Sequence, residues 1–202
     1  MGPTDCAIIA DETANPKWLA YDLLSEAEHG PDSSAFLVTD SQKLADKVER
    51  ILRARIKEIR QRKDILEKVF GPEGMGTIAV APDLEEARHQ VNRFAPEHLV
   101  IACDPSRQDE IVNNIANAGE ILVGHYTPFS AANYAIGITA VLPTNGFARI
   151  FSGITCKDMI KVSTIGKLSE TALRELTPCI IQIAEHEGLP RHADAVKVRM
   201  EE

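Results

Sequence analysis

The chain has 202 residues, 44% hydrophobic and 26% charged, with 30 acidic against 22 basic side chains and a net charge of −8. That length can bury a real core and suits one domain, or one domain with appendages. The acidic balance argues against nucleic acid and anionic membranes as partners, because both demand basic patches.

No apolar run reaches the length of a membrane span, and no signal peptide precedes Asp11, so a cytoplasmic protein acting on a small molecule is expected. Cys6, Cys103, Cys156 and Cys179 are scattered without paired spacing. They read as reduced, mostly buried thiols, not as disulfides or a metal knuckle.

Residues 6–10 form a short continuous apolar run that predicts a buried parallel strand. Asp11 to Pro16 reads as a turn, and Asn15-Pro16 opens a helix, since Pro is tolerated in a first turn. Trp18, Leu19, Tyr21 and Leu23 are expected to pack that helix onto the core. It stops at Gly30-Pro31, because Gly suits the position just past a helix end and Pro cannot continue one. Residues 35–39 predict a second strand. Asp40-Ser41 then cap a long helix with Leu44, Val48, Ile51, Leu52, Ile56 and Ile59 at helical spacing. The basic stretch from Arg50 to Lys68 is interleaved with Glu and Asp, so it reads as a solvated face. Gly71 to Gly76 is a glycine-rich break without the Lys-Ser/Thr of a phosphate loop.

Residues 77–80 predict a third strand, 84–94 a helix, 97–102 a fourth strand, 106–118 a helix and 120–123 a fifth strand. From Tyr126 to Gly166 the period is lost and Gly, Pro and Thr accumulate, which suggests site-forming loops. Residues 173–187 predict a helix with Leu176, Ile180, Ile183 and Ala184 inward. It breaks at Gly188-Leu189-Pro190. The segment 193–199 has little core of its own and is expected to dock elsewhere. The alternation implies an α/β fold: a truncated Rossmann-like, mostly parallel sheet flanked by helices, with a C-terminal helical extension. The expected division is an α/β domain over 1–147 and a loop and helical segment over 148–202.

Two constellations carry chemistry. Glu26 and His29 are three apart and share a helix face, as half of a zinc-type site would. A solvated Glu-His pair at a helix end has the same spacing. Ala95-Pro96-Glu97-His98-Leu99 places an acid and an imidazole at the mouth of a strand, and strand ends are where α/β sheets gather ligands. His is the natural proton carrier near neutral pH, with Glu as partner base or orienter.

The phrase Leu23-Leu24-Ser25-Glu26-Ala27-Glu28-His29-Gly30-Pro31-Asp32-Ser33 resembles the zinc-binding signature of the histidinol dehydrogenase family, with Glu26 where the family has glutamine. Pro96-Glu97-His98-Leu99 is similar to its acid/base motif. Gly2-Pro3-Thr4, Ile9 to Pro16, Asn133-Tyr134-Ala135, Val141 to Thr144, Phe151-Ser152-Gly153, Glu187-Gly188-Leu189 and His192 are similar to further family segments. The resemblance covers the family's C-terminal half only.

The resemblance implies roles residue by residue. Glu97 and His98 would be catalytic. Thr4, Ala140 and Glu187 would fall at substrate-binding positions. Glu26, His29, Asn133 and His192 would hold a divalent metal, zinc in the family, with His192 supplied by the other subunit of an intertwined homodimer. Asn133 stands where the family has aspartate, so Glu26 and Asn133 exchange the carboxylate and the amide between two positions. Carboxylate oxygen is the better zinc ligand, which puts the burden on Glu26, His29 and His192. Ala140 stands where the family has a histidine and leaves room for a larger, more apolar ligand, a direction that Phe129, Ile136 and Ile138 fit, though core packing is their ordinary reading.

No glycine-rich dinucleotide fingerprint occurs, so NAD is not expected on this chain alone. The first functional reading is therefore a histidinol-dehydrogenase-like enzyme performing acid/base, metal-assisted, non-redox chemistry such as isomerisation, cyclisation or carbon–carbon cleavage. The second is the C-terminal half of an NAD-dependent histidinol dehydrogenase that needs a separate N-terminal half. The third is an inactive binding module.

Overall fold

The structure, a computed structural model, describes residues 2–201. They divide into two compact units, one up to Asp158 and one from Met159 onward. The first unit is built on five parallel strands, β1 (Asp5–Ala10), β2 (Ser34–Thr39), β3 (Gly76–Val80), β4 (His98–Ala102) and β5 (Glu120–Val123), in the order β3-β2-β1-β4-β5. Between them run α1 (Pro16–Ala27), α2 (Gln42–Glu58), α3 (Lys63–Val69), α4 (Leu84–Phe94) and α5 (Pro105–Asn113), and α6 (Phe129–Tyr134) follows β5.

The central strand explains the continuous apolar run. Every residue of β1 is buried, because side chains alternate between two covered faces. Cys6, Ile8 and Ala10 meet α1, α2, α3 and α6 on one side. Ala7 and Ile9 meet the layer containing Leu84, Ala87, Val91 and Ile111 on the other. Asn15 caps α1 by accepting from Lys17 N at 2.9 Å and Trp18 N at 3.4 Å. Asp83 caps α4 through Glu86 N at 2.8 Å.

Several expectations are corrected. The long helix runs as its spacing predicts, to Glu58 with Ile59 as its cap, but a separate, unforeseen helix α3 follows Arg62, which takes a left-handed conformation with φ of 55°. Helix α5 ends at Asn113, short of Ala118. Trp18 and Tyr21 are not core residues: they are 42% and 44% exposed, on the outer face of α1. There Trp18 packs at a tilt against Tyr126, with ring centroids 5.3 Å apart, and Arg55 lies over the Tyr21 ring. Phe129 is fully buried, whereas Ile136 and Ile138 are exposed. Of the four free cysteines, Cys6 and Cys103 are buried but Cys156 and Cys179 are exposed.

In the second unit α7 (Glu170–His186) and α8 (Pro190–Lys197) form a helical hairpin turned by Gly188, whose φ of 73° suits glycine. Ser169 caps α7 through Ala172 N at 3.2 Å. Ala184 and Ala193 are the buried residues of these two helices. Leu176 and Ile183, expected inward, are exposed, whereas Ala184 beside Ile183 is buried. Among the described residues, no helix is long and apolar enough to cross a membrane.

Candidate functional site

Polar groups gather at the amino ends of β1, β4 and β5, in contrast to the carboxyl ends where open α/β sheets usually bind ligands. Strand register builds the cluster. His98 opens β4, lies beside Cys6 of β1, and pairs with Glu120, the first residue of β5. Gly119 permits this close approach: a Cβ there would stand 2.5 Å from the Glu97 carbonyl oxygen. Glu120 N then donates to Glu97 O at 3.0 Å.

His98 is the centre. Its Nδ1 stands 2.5 Å from Glu120 Oε1. Its Nε2 stands 3.7 Å from Glu97 Oε1 and 4.0 Å from Glu26 Oε2. The ring also packs edge-on against Phe129, with centroids 5.9 Å apart. Adjacent strand residues normally point apart, but Glu97 lies just before β4 and can turn to the same space.

Glu97 is held from three sides. Thr4 Oγ1 and Thr144 Oγ1 each donate to its Oε2 at 3.0 Å. Its backbone N donates to Asp5 Oδ1 at 2.5 Å, and Asp5 Oδ2 accepts from Asn145 N. Thr4 is thus a buried partner of Glu97, beside an open cleft of about 590 Å³ that Thr4, Asp5, Asp32, Thr144 and Asn145 help to line.

The electrostatics follow from crowding acids in a dry place. Burial pushes Glu26 up to about 7, with Glu97 and Glu120 adding to the rise and His98 opposing it. Burial likewise raises Asp5, against the two backbone bonds that favour its charge. For His98, burial pulls downward, but the Glu120 bond and the charges of Glu26, Glu97 and Glu120 together carry it above the usual imidazole range. His29 is lowered by burial and by its neighbour His98.

The other expected residues lie as follows. Glu26 is 2% exposed near the end of α1, and its Oε2 is buried without a hydrogen-bond partner among the described residues. His29 Nε2 stands 3.9 Å from that oxygen. Zinc bond lengths place two tetrahedral ligands about 3.4 Å apart, so this orphaned oxygen and the imidazole fit a divalent ion after a small shift. Among the described residues, no three His, Cys, Asp or Glu side chains form a ready metal cluster. Asn133 is half-buried on α6, one turn beyond Phe129. Ala140 is exposed in the loop after α6. Glu187 ends α7 and His192 lies on α8, both in the second unit.

Sequence reasoning missed Asp5 and Glu120, and it named Thr144 and Phe129 without their contacts to Glu97 and His98. A signal existed for the two acids: each opens a strand whose other residues are apolar.

Comparison with known proteins places the chain. The family model described as histidinol dehydrogenase matches residues 1–200. Histidinol dehydrogenases of Synechocystis sp. and Methanopyrus kandleri are 43% and 40% identical, over 98% of this chain and 45% of each relative. The crystal structure of histidinol dehydrogenase from Elizabethkingia anophelis superposes with a TM-score of 0.90 at 33% identity, over 100% of this chain and 45% of that one. The chain spans about half the length of these relatives. With the shared fold and sequence running from end to end of it, this protein belongs to the histidinol dehydrogenase family.

Proposed function

We propose that the amino-edge cluster is a general acid–base site acting on a small molecule, with His98 as the proton carrier and Glu97 as its partner. One observation carries this reading: Glu97 and Glu26 both face Nε2 of His98, while Nδ1 is already engaged by Glu120. Thr4 and Thr144 occupy Oε2 of Glu97 and leave Oε1 turned to the imidazole. A proton taken by His98 Nε2 can therefore be shared with Glu97, a positioned pair of the kind that contributes roughly 10²–10⁴-fold in rate. The open cleft beside Thr4 and Thr144 is where a small molecule would approach.

Glu26 and His29 would hold a divalent metal, with Asn133 and His192 as the further donors that family resemblance implies. When bound, such an ion polarises a substrate oxygen as a Lewis acid. Metal analysis of protein purified without added zinc tests this, and metal-free protein that takes up no zinc on titration contradicts it.

Within the family we favour non-redox chemistry such as isomerisation or cyclisation. Its support is Ala140, where the family offers an imidazole, and the exchanged carboxylate and amide at Glu26 and Asn133. The second reading is NAD-dependent oxidation of histidinol together with a separate N-terminal half. About 40% identity to histidinol dehydrogenases across nearly the whole chain favours it. Absorbance of NADH in a mixture of this chain, histidinol and NAD distinguishes them: turnover would overturn the non-redox reading. A panel of small imidazole and amino-alcohol compounds followed by proton NMR tests the site itself. Conversion that disappears in His98→Ala is expected, and conversion at an unchanged rate in that variant contradicts the acid–base role.

The second unit supports a proposed homodimer. Leu176 and Ile183, seven residues apart on α7, are about half exposed on one helix face, and Leu189 and Val198 are similarly exposed, apolar surface that a second copy would cover. Exchange of this unit would bring His192 of one copy to the Glu26-His29 pair of the other. Light scattering that reads a stable monomer would contradict it.

A further inference from the structure

Glu120 has no place in the motifs that define the site, yet it makes the shortest contact to its central residue. Its Oε1 lies 2.5 Å from His98 Nδ1, and the side chains of the pair are 3% and 5% exposed. The two residues are direct neighbours across β4 and β5, so strand register sets their spacing. Among the described residues, Glu120 Oε2 is buried with no hydrogen-bond partner. A buried carboxylate with one idle oxygen destabilises a fold, and an apolar residue would pack this position with less loss. A purely structural role therefore explains Glu120 poorly.

We propose that Glu120 is a positioning residue that fixes the tautomer and the orientation of His98. An ionised carboxylate only accepts hydrogen bonds, so Nδ1 must donate to it. In the neutral imidazole Nε2 then carries the lone pair. That is the nitrogen facing Glu97 Oε1 and Glu26 Oε2. Phe129, packed edge-on against the ring, restricts its rotation, so the carboxylate and the aromatic ring together aim Nε2 into the site. The functional consequence rests on the proposed acid–base role of His98, but the tautomer itself does not.

Nitrogen-15 NMR of the full chain tests it, with histidines labelled and the His98 signals assigned by loss in His98→Asn. Spectra are taken at alkaline pH, where the imidazole is neutral. The wild type should show Nδ1 as the protonated, pyrrole-type nitrogen and Nε2 as pyridine-type. Glu120→Gln keeps an oxygen that can accept from Nδ1 and should preserve this pattern. Glu120→Leu should lose it, giving the Nε2–H form or a mixture, while backbone amide spectra and circular dichroism report that the fold is retained. If Glu120→Leu fails to fold, the wild type and Glu120→Gln still decide: Nε2–H in either overturns the proposal. A folded Glu120→Leu with an unchanged tautomer also overturns it. The expected tautomers together with full turnover in His98→Ala would contradict the acid–base role alone and leave the tautomer assignment standing.

Discussion

The two ends of the same strands both carry acids, and they use them differently. At the carboxyl edge Asp11 is saturated. Its Oδ1 accepts from Thr13 N at 3.0 Å and Thr13 Oγ1 at 2.5 Å, and its Oδ2 from Asp104 N at 2.8 Å. Asp104 is held below the usual carboxylate range by the hydroxyl and backbone N–H of Ser106. At the amino edge Glu26 and Glu120 each keep an oxygen without a partner, and burial pushes Glu26 up to about 7. The contrast teaches that residue type does not mark a site. An acid whose oxygens are all occupied by nearby N–H and O–H groups is part of the frame. A buried acid left partly idle costs stability, and in the proposed acid–base site that cost is set against a chemical role.

This contrast can be broken in several places. The largest effect is expected at Phe129, which is fully buried and covers the amino edge. Phe129→Ala should destabilise the protein by about 3–5 kcal/mol in urea unfolding, as large-to-small core changes do. A loss under 1 kcal/mol would mean that the ring does not seal the edge. Next, Asp11→Ala should cost about 2–4 kcal/mol, because it strands backbone N–H groups of Thr13 and Asp104. A near-neutral result would remove the frame side of the comparison.

Asp22, one turn before Glu26 on α1, probes the gradient between the edges. Burial first, and then the charge of Glu26, push it up to about 7. A carboxyl whose folded pKa is raised gives its full stability below the unfolded value near 4 and loses it as pH rises through 7. Asp22→Asn should therefore stabilise the protein by on the order of 2 kcal/mol at pH 8. The gain should shrink toward zero below pH 4. Melting temperatures across that range check it, and a pH-independent effect would refute it. The smallest change is Asn15→Ala at the start of α1, which removes a helix cap and should cost about 1 kcal/mol by thermal unfolding.

Much of the fold was legible because buried parallel strands leave continuous apolar runs. Residues 84–94 and 120–123 fall where the pattern puts them. The Glu97-His98 pair was legible as a motif, and Glu26-His29 by helical spacing. Asp5 and Glu120 were not, because their link to residues 97 and 98 comes from register between strands far apart in sequence. A single acid opening an apolar strand is the one trace each leaves, and it names no partner. Trp18 and Tyr21 misled for the opposite reason: aromatic side chains suggest a core, but α1 turns them outward, to Tyr126 and Arg55.

The most direct measurement sets one acid from each edge side by side. Urea unfolding at pH 8 with a chelator present would compare Glu26→Gln and Asp11→Asn with the wild type. Glu26→Gln should raise the unfolding free energy, since it relieves a buried, partly idle carboxylate, while Asp11→Asn should lower it. A Glu26→Gln protein less stable than the wild type would mean that this carboxylate belongs to the frame after all.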